Sequence, residues 1–188
     1  MGLRSLVQDE PDPEWLLRAD VVRGLRAVAA RGLAFDLLIR PQHLAAATAL
    51  TGQVPEGRFV VDHAAKPAIA SGLIEPWATE LARLARRPNV WCKLSGLVTE
   101  ADWSSWSVAD LRPYAEHVLA CFGPQRTLFG SDWPVCTLAA SYGAVVRAAE
   151  ELLDGLSPSD RDDVLGGTAT AVYRLRHRAT IEPASLPA

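Results

Sequence analysis

Three short stretches of this sequence gather side chains that can do chemistry. Asp62-His63-Ala64-Ala65-Lys66-Pro67 follows the apolar run Phe59-Val60-Val61. A histidine at the end of such a run can bind a metal, polarise a carbonyl or shuttle a proton, or simply hydrogen-bond a loop. Trp91-Cys92-Lys93-Leu94-Ser95-Gly96 sets a lysine inside an apolar segment, where a charge is costly unless it meets a carboxylate or an anionic ligand. Leu128-Phe129-Gly130-Ser131-Asp132-Trp133-Pro134 ends in a carboxylate beside an aromatic. Asp132 can act as general base for a water, hold a metal with that water bound, or cap a loop. Trp133 can pack or touch a substrate.

Other residues are weaker candidates. Arg40 ends an apolar run and can hold a carboxylate through its planar fork, or serve only at the surface. Trp103 lies in Thr99-Glu100-Ala101-Asp102-Trp103, on the loop that follows Lys93. His43, His117 and His177 fall on predicted helices and read as surface or packing residues. A Ser131–His63–Asp132 triad lacks the G-x-S-x-G elbow that exposes a nucleophilic serine. Of the 19 basic residues only Lys66 and Lys93 are lysines. A tight site that needs a compact, desolvable cation is one reason to keep them, and chance is the other.

The elements that must position these groups repeat a unit: a short apolar run, a loop, an amphipathic helix. Strands are expected at 3–8, 34–40, 58–63, 90–94 and 127–130, starting roughly 25 to 35 residues apart, the length of a βα unit. Near-continuous apolar interiors such as Phe35-Asp36-Leu37-Leu38-Ile39 suit parallel strands covered on both faces. Alternation along a strand predicts that Asp62 and His63 face opposite ways. Helices are expected at 13–30, broken near Asp20, and at 43–50, 76–86, 108–121, 138–153 and 159–173, with Ser157-Pro158-Ser159-Asp160 as a helix start. Residues 1–175 read as one domain and 176–188 as a tail. An open doubly wound sheet usually has a glycine-rich turn after its first strand, but here that place holds Gln8-Asp9-Glu10-Pro11-Asp12-Pro13, too acidic to cradle phosphate. Polar residues collect instead at the C-terminal ends of successive strands, which predicts an α/β fold of the (β/α)8-barrel type.

Bulk composition narrows the function classes. With 49% hydrophobic and 22% charged residues the chain can bury a core. A net charge of -3 gives no support for nucleic-acid binding. No apolar run is long enough to span a bilayer and no signal-like segment opens the sequence, so a cytoplasmic protein without membrane partners is expected. The three cysteines, Cys92, Cys121 and Cys136, show no CxxC spacing and read as structural thiols in a reducing compartment.

With these motifs in hand, the sequence resembles the amidohydrolase-related family of TIM-barrel hydrolases (amidohydrolase 2). The likeness is to its lactone-hydrolase branch, which includes L-fuconolactone, L-rhamnonolactone and 2-pyrone-4,6-dicarboxylate hydrolases. VQDEPDP at 7–13, FDLLIRP at 35–41, DHAAKP at 62–67, WCKLSGLVTEADW at 91–103 and LFGSDWPV at 128–135 carry the resemblance. It implies that Asp132 activates the attacking water and that His63 contacts the carbonyl or a metal. It implies that Lys66, Lys93 and Trp133 line the substrate pocket, and that the substrate is a sugar-acid or related carboxylated lactone. A decarboxylase of the same superfamily is the alternative chemistry. No organic cofactor is expected. A divalent metal such as zinc would use His63 and Asp132, fewer than the three protein ligands zinc needs.

Family members open with a strand bearing His-x-His, which occurs nowhere here, and Ser5 stands where many relatives carry histidine. Counting back from Asp132, Leu3–Gln8 corresponds to the fourth strand, so the chain reads as the C-terminal part of a barrel, strands four to eight. Two open edges and a bare lumen would then call for a homodimer or an N-terminal partner, or leave a catalytically silent or split module that binds or assembles.

Overall fold

The computed structural model describes residues 1–175. The tail expected at 176–188, with His177, lies outside the described residues. Five parallel strands form one sheet in sequential order: β1 (Gly2–Ser5), β2 (Ala34–Leu37), β3 (Arg58–Val61), β4 (Val90–Leu94) and β5 (Thr127–Phe129). Between them run α1 (Ala19–Ala30), α2 (Leu44–Gln53), α3 (Trp77–Ala85), the single turn α4 (Leu97–Glu100) and α5 (Val108–Phe122). After β5 come α6 (Tyr142–Leu152), α7 (Pro158–Asp162) and α8 (Thr168–Tyr173). A doubly wound sheet reverses its strand order at a switch point. This one never reverses, so every right-handed crossover falls on the same side, as in a barrel wall.

Strand alternation then sorts the residues. Phe35, Leu37, Phe59, Val61, Val90, Cys92 and Leu94 pack with Leu44, Leu50, Leu81, Leu84, Leu111 and Val118 of the helices in one large core. The other sheet face carries Arg4 paired with Asp36, Val60 with Trp91, and Lys93 with Leu128. That face bears all the strand-borne charge of the site.

Most departures from the expected elements are early strand ends. β2 and β3 stop at Leu37 and Val61, and the residues beyond turn into short 3-10 segments, Pro41–His43 and Asp62–Ala65. The first helix is broken where Arg18 takes an extended conformation, ahead of Asp20. The stretch expected as one helix at 159–173 is three pieces, with a π-helical turn at Asp163–Gly167 between α7 and α8. Ser157 does cap α7, accepting the Asp160 N–H. The π turn matters for function: beyond it Val172 packs on Val60 and Leu128, with Tyr173 beside them, so α8 lies on the charged face opposite the other helices.

Candidate active site

The C-terminal ends of β3, β4 and β5 converge on an open cleft of about 410 Å³, within the size range of small-molecule sites. Arg4, Asp62, His63, Lys93, Asp132 and Tyr173 line it, and Trp133, two-thirds exposed, stands at its rim. Asp62 and His63 both face the cleft, against the expected alternation. The strand has already ended at Val61, and the backbone winds left-handed through His63, Ala64, Ala65 and Lys66, with φ of 52°, 48°, 58° and 56°. Side-bearing residues visit this region at a cost of about 1–2 kcal/mol each, and a run of four persists only where the surroundings over-determine it.

Those surroundings can be named. The Trp77 indole N–H donates to Ala64 O at 2.7 Å. His63 Nδ1 lies 2.9 Å from Ser95 Oγ, and the imidazole rests on the backbone of Gly96. A Cβ on Gly96 would stand 2.8 Å from Nδ1, and its φ of +62° is itself a glycine conformation, so two independent demands meet at that residue. On the far side of the ring, His63 Nε2 stands 3.5 Å from Asp132 Oδ1, both side chains nearly buried. Asp132 takes a left-handed φ of 58°, which short polar residues tolerate, as the chain turns out of β5. Burial pulls the His63 pKa below the ordinary histidine value, assisted by the positive charges of Lys66 and Lys93. Asp132 and Asp62 oppose this without overcoming it. The ring is therefore neutral at pH 7, with one nitrogen donating and the other accepting.

Beneath this pair lies an ionic network that the sequence does not announce. Lys93 Nζ sits 2.6 Å from Asp36 Oδ2 and 2.6 Å from Asp62 Oδ1. Arg4 Nη1 reaches Asp62 Oδ2 at 3.2 Å, and the Tyr173 hydroxyl donates to Asp36 Oδ1 at 2.7 Å. The Lys93 ammonium lies 5.5 Å from the centre of the Tyr173 ring. Burial pulls the Lys93 pKa down, but Asp62 and Asp36 together outweigh it and hold the ammonium above the ordinary lysine range. Burial, with Asp36 alongside, pushes the Tyr173 phenol up. The signal that could have found Asp36 is a charge inside the apolar run Phe35-Asp36-Leu37-Leu38-Ile39, which is costly unless paired. Tyr173 gave no signal, because only the π turn brings α8 to this face.

The other sequence candidates sit elsewhere. Lys66 lies 2.6 Å from Glu100 Oε1 and does not line the cleft. Arg40 is exposed and its Nε donates to Gln8 O at 3.3 Å, while the Trp103 indole, half exposed, donates to Thr99 O at 2.9 Å. His43 is a buried joint: Nδ1 accepts the Arg40 N–H at 3.1 Å, so Nε2–H faces Glu10 O at 3.3 Å. His117 meets Ala78 O at 2.9 Å and stacks at an angle on Trp77. Cys92 and Cys136 are buried and Cys121 half-buried, with burial raising each thiol.

As a metal centre the site is too poor in donors. Among the described residues no three of His, Cys, Asp and Glu cluster suitably. Asp62 is committed to Lys93 and Arg4, leaving His63 and Asp132, and two donors fall short of the three that zinc takes from protein.

The family model described as amidohydrolase matches residues 1–175. The chain belongs to the amidohydrolase family. It is 42% identical over 178 residues to an L-fucono-1,5-lactonase of Burkholderia ambifaria, covering 93% of this chain and 61% of the relative. A second L-fucono-1,5-lactonase, from Burkholderia multivorans, is 40% identical over 185 residues, covering 93% and 62%. The chain thus spans about three-fifths of the length of these curated relatives. A crystal structure of an amidohydrolase from Burkholderia multivorans with bound zinc superposes with a TM-score of 0.88 at 40% identity, covering 93% of this chain and 64% of that one. Among the described residues, no helix of the chain is long and apolar enough to cross a membrane.

Proposed function

We propose that this chain carries the water-activating half of a lactone hydrolase acting on a sugar-acid or related carboxylated lactone. The observation that carries the reading is the His63–Asp132 pair, 3.5 Å apart and held by two different strand ends at the mouth of one cleft. The two Burkholderia L-fucono-1,5-lactonases support the substrate class. Asp132 takes a proton from water as the water oxygen attacks the lactone carbonyl carbon. With the Ser95 hydroxyl donating to Nδ1, neutral His63 keeps its proton on Nε2 and offers it to the developing oxyanion. The ring C–O bond breaks, and the departing alkoxide takes the proton back from Asp132, giving the open hydroxy acid. Lys93 and the half-exposed Arg4, each paired with a carboxylate, bring N–H donors to the cleft for hydroxyl or carboxylate substituents. Trp133 covers the entrance. If a zinc ion serves the working enzyme, His63 and Asp132 are the donors that this chain brings to it, and the others come from beyond its described residues.

We further propose that the five strands are part of an eight-stranded barrel working in the cytoplasm, comprising residues 1–175, with 176–188 as an appended tail. Among the described residues β1 and β5 are the sheet edges, with exposed Met1, Leu3 and Leu6 beside one and Trp133, Val135 and Leu138 beside the other. Further strands, from a second copy or another polypeptide, would cover them. A silent binding or assembly module draws on the same edges, and it differs in releasing no acid.

The test is acid release from a panel of aldonolactones, followed with a pH indicator, by the chain alone and with the full-length relative's N-terminal segment added. Asp132→Asn is expected to lower turnover by about 10²–10⁴-fold, the usual range for a lost general base. Unchanged turnover in Asp132→Asn would remove the base assignment.

A further inference from the structure

We propose that Glu100 is a positioning residue of this site: by holding Lys66 it locks the left-handed turn at 63–66 and so aims the His63 imidazole at Asp132. This rests on the reading that His63 works at the reacting carbonyl, and it assigns Lys66 to the backbone rather than to substrate.

The geometry is a two-ended grip. Ser95, Gly96 and α4 form one continuous stretch of chain beside the turn. At its front Ser95 Oγ meets His63 Nδ1 at 2.9 Å, and at its back Glu100 Oε1 accepts from Lys66 Nζ at 2.6 Å. The Trp77 bond to Ala64 O fixes the middle. Nothing else charged holds the last residue of the turn among the described residues, and both partners of the pair are largely out of water, at 15% and 19% side-chain exposure. A surface ion pair adds little, but a shielded one at this distance restricts both chains. Lysine suits the role because a compact ammonium on a flexible stem can reach Glu100 where a guanidinium fork needs more room. The chain otherwise uses arginine almost throughout, with Lys66 and Lys93 its only lysines.

The experiment follows the imidazole nitrogens of ¹⁵N-histidine-labelled chain by NMR at one fixed pH, in Glu100→Gln, Lys66→Met and the charge swap Lys66→Glu with Glu100→Lys. In both single variants the His63 signals are expected to lose the signature of the Ser95 hydrogen bond and broaden, while those of His43 and His117 stay in place. The swap should restore them. In the lactonase assay the single variants should lose about tenfold or more in kcat, with KM within about twofold, as a misaimed group rather than a lost substrate contact requires. His63 signals that are unaltered in Glu100→Gln, or not restored by the swap, would overturn the proposal. So would a raised KM with kcat retained, which marks Lys66 as a substrate ligand. Should Glu100→Gln not fold, Glu100→Asp keeps the charge, shortens the reach and is read in the same way. Failure of the chain to open any lactone would count against the hydrolase reading, leaving the NMR result to decide on the grip.

Discussion

Replacing Lys93 by methionine should unravel the floor of the cleft. Lys93 sits 2.6 Å from both Asp36 and Asp62, and the Asp62 side chain is only 1% exposed. At an effective dielectric near 20, each ion pair with charge centres about 4 Å apart is worth ~4 kcal/mol, set against a burial penalty of several kcal/mol per ion. Methionine fills much of the same volume but removes the cation, so two carboxylates remain in one poorly solvated place. Breaking one side of a buried pair costs about 3–5 kcal/mol. Arg4 still reaches Asp62 and the Tyr173 hydroxyl still reaches Asp36, which places the expected loss near the lower end, about 3 kcal/mol. In urea unfolding followed by tryptophan fluorescence, that loss moves the midpoint down by about 1–3 M for a typical denaturant slope.

In the parent chain Lys93 titrates above its ordinary value of 10.5, so its contribution is fully present below that pH and is lost as pH rises through the raised value. In Lys93→Met the deficit should instead shrink as pH falls toward the carboxylate range, because protonating either acid removes the repulsion. Adding Asp36→Asn to Lys93→Met should likewise return part of the stability. An unfolding free energy for Lys93→Met within about 0.5 kcal/mol of the parent, the range of ordinary surface changes, would refute this account. A double variant weaker than the single one would do the same.

Three further outcomes are expected. Gly96→Ala places a Cβ 2.8 Å from His63 Nδ1 at a φ of +62°, so it should cost about 1–3 kcal/mol and most of the lactonase turnover; thermal melts and acid release at wild-type levels would contradict this. His63, its pKa depressed below 6.5 by burial, contributes stability that is present above that pH and lost as pH falls through its folded value. Melts between pH 7.5 and 5.5 should therefore slope less in His63→Asn than in the parent, and equal slopes would sink the assignment. Zinc added to EDTA-stripped chain should find no tight site at His63 and Asp132, since two donors are too few. Stoichiometric zinc, measured by mass spectrometry and abolished in both His63→Asn and Asp132→Asn, would overturn that.

How far the sequence went depends on the range over which each cause acts. The strand and helix alternation is written in local apolar periodicity, so β4 was legible to its ends and the other strands to within a few residues. The expectation of barrel-type winding came from the absence of a glycine-rich turn and the placing of polar residues at strand ends; the structure bears out the parallel α/β sheet, in an unreversed order that fits such winding. His63 and Asp132 were legible because each is a chemically able group at the end of an apolar run. Their 3.5 Å approach was not, because it depends on left-handed backbone at both places. No L-residue pattern announces such a conformation: Ala64 and Ala65 are ordinary helix formers, and the contacts that meet the turn, from Ser95, Trp77 and Glu100, all come from elsewhere in the chain.

The same contrast explains why the two lysines, alike in the sequence, part company in the structure. A lysine inside a strand must meet a charge across the sheet, and strand register decides which: Lys93 lies on the face that also carries Arg4 and Asp36. Alternation puts Asp36 on that face, but Asp62 lies past the end of β3 and reaches Lys93 only through the turn that follows. Lys66 follows the end of its strand, where period-two reasoning lapses, and its partner Glu100 lies 34 residues away on a helix of a single turn. One lysine thus binds the floor of the cleft together and the other fixes the turn above it. Local rules hold along the strands and fail at the loops that aim His63, as expected where a fold spends regularity on a site.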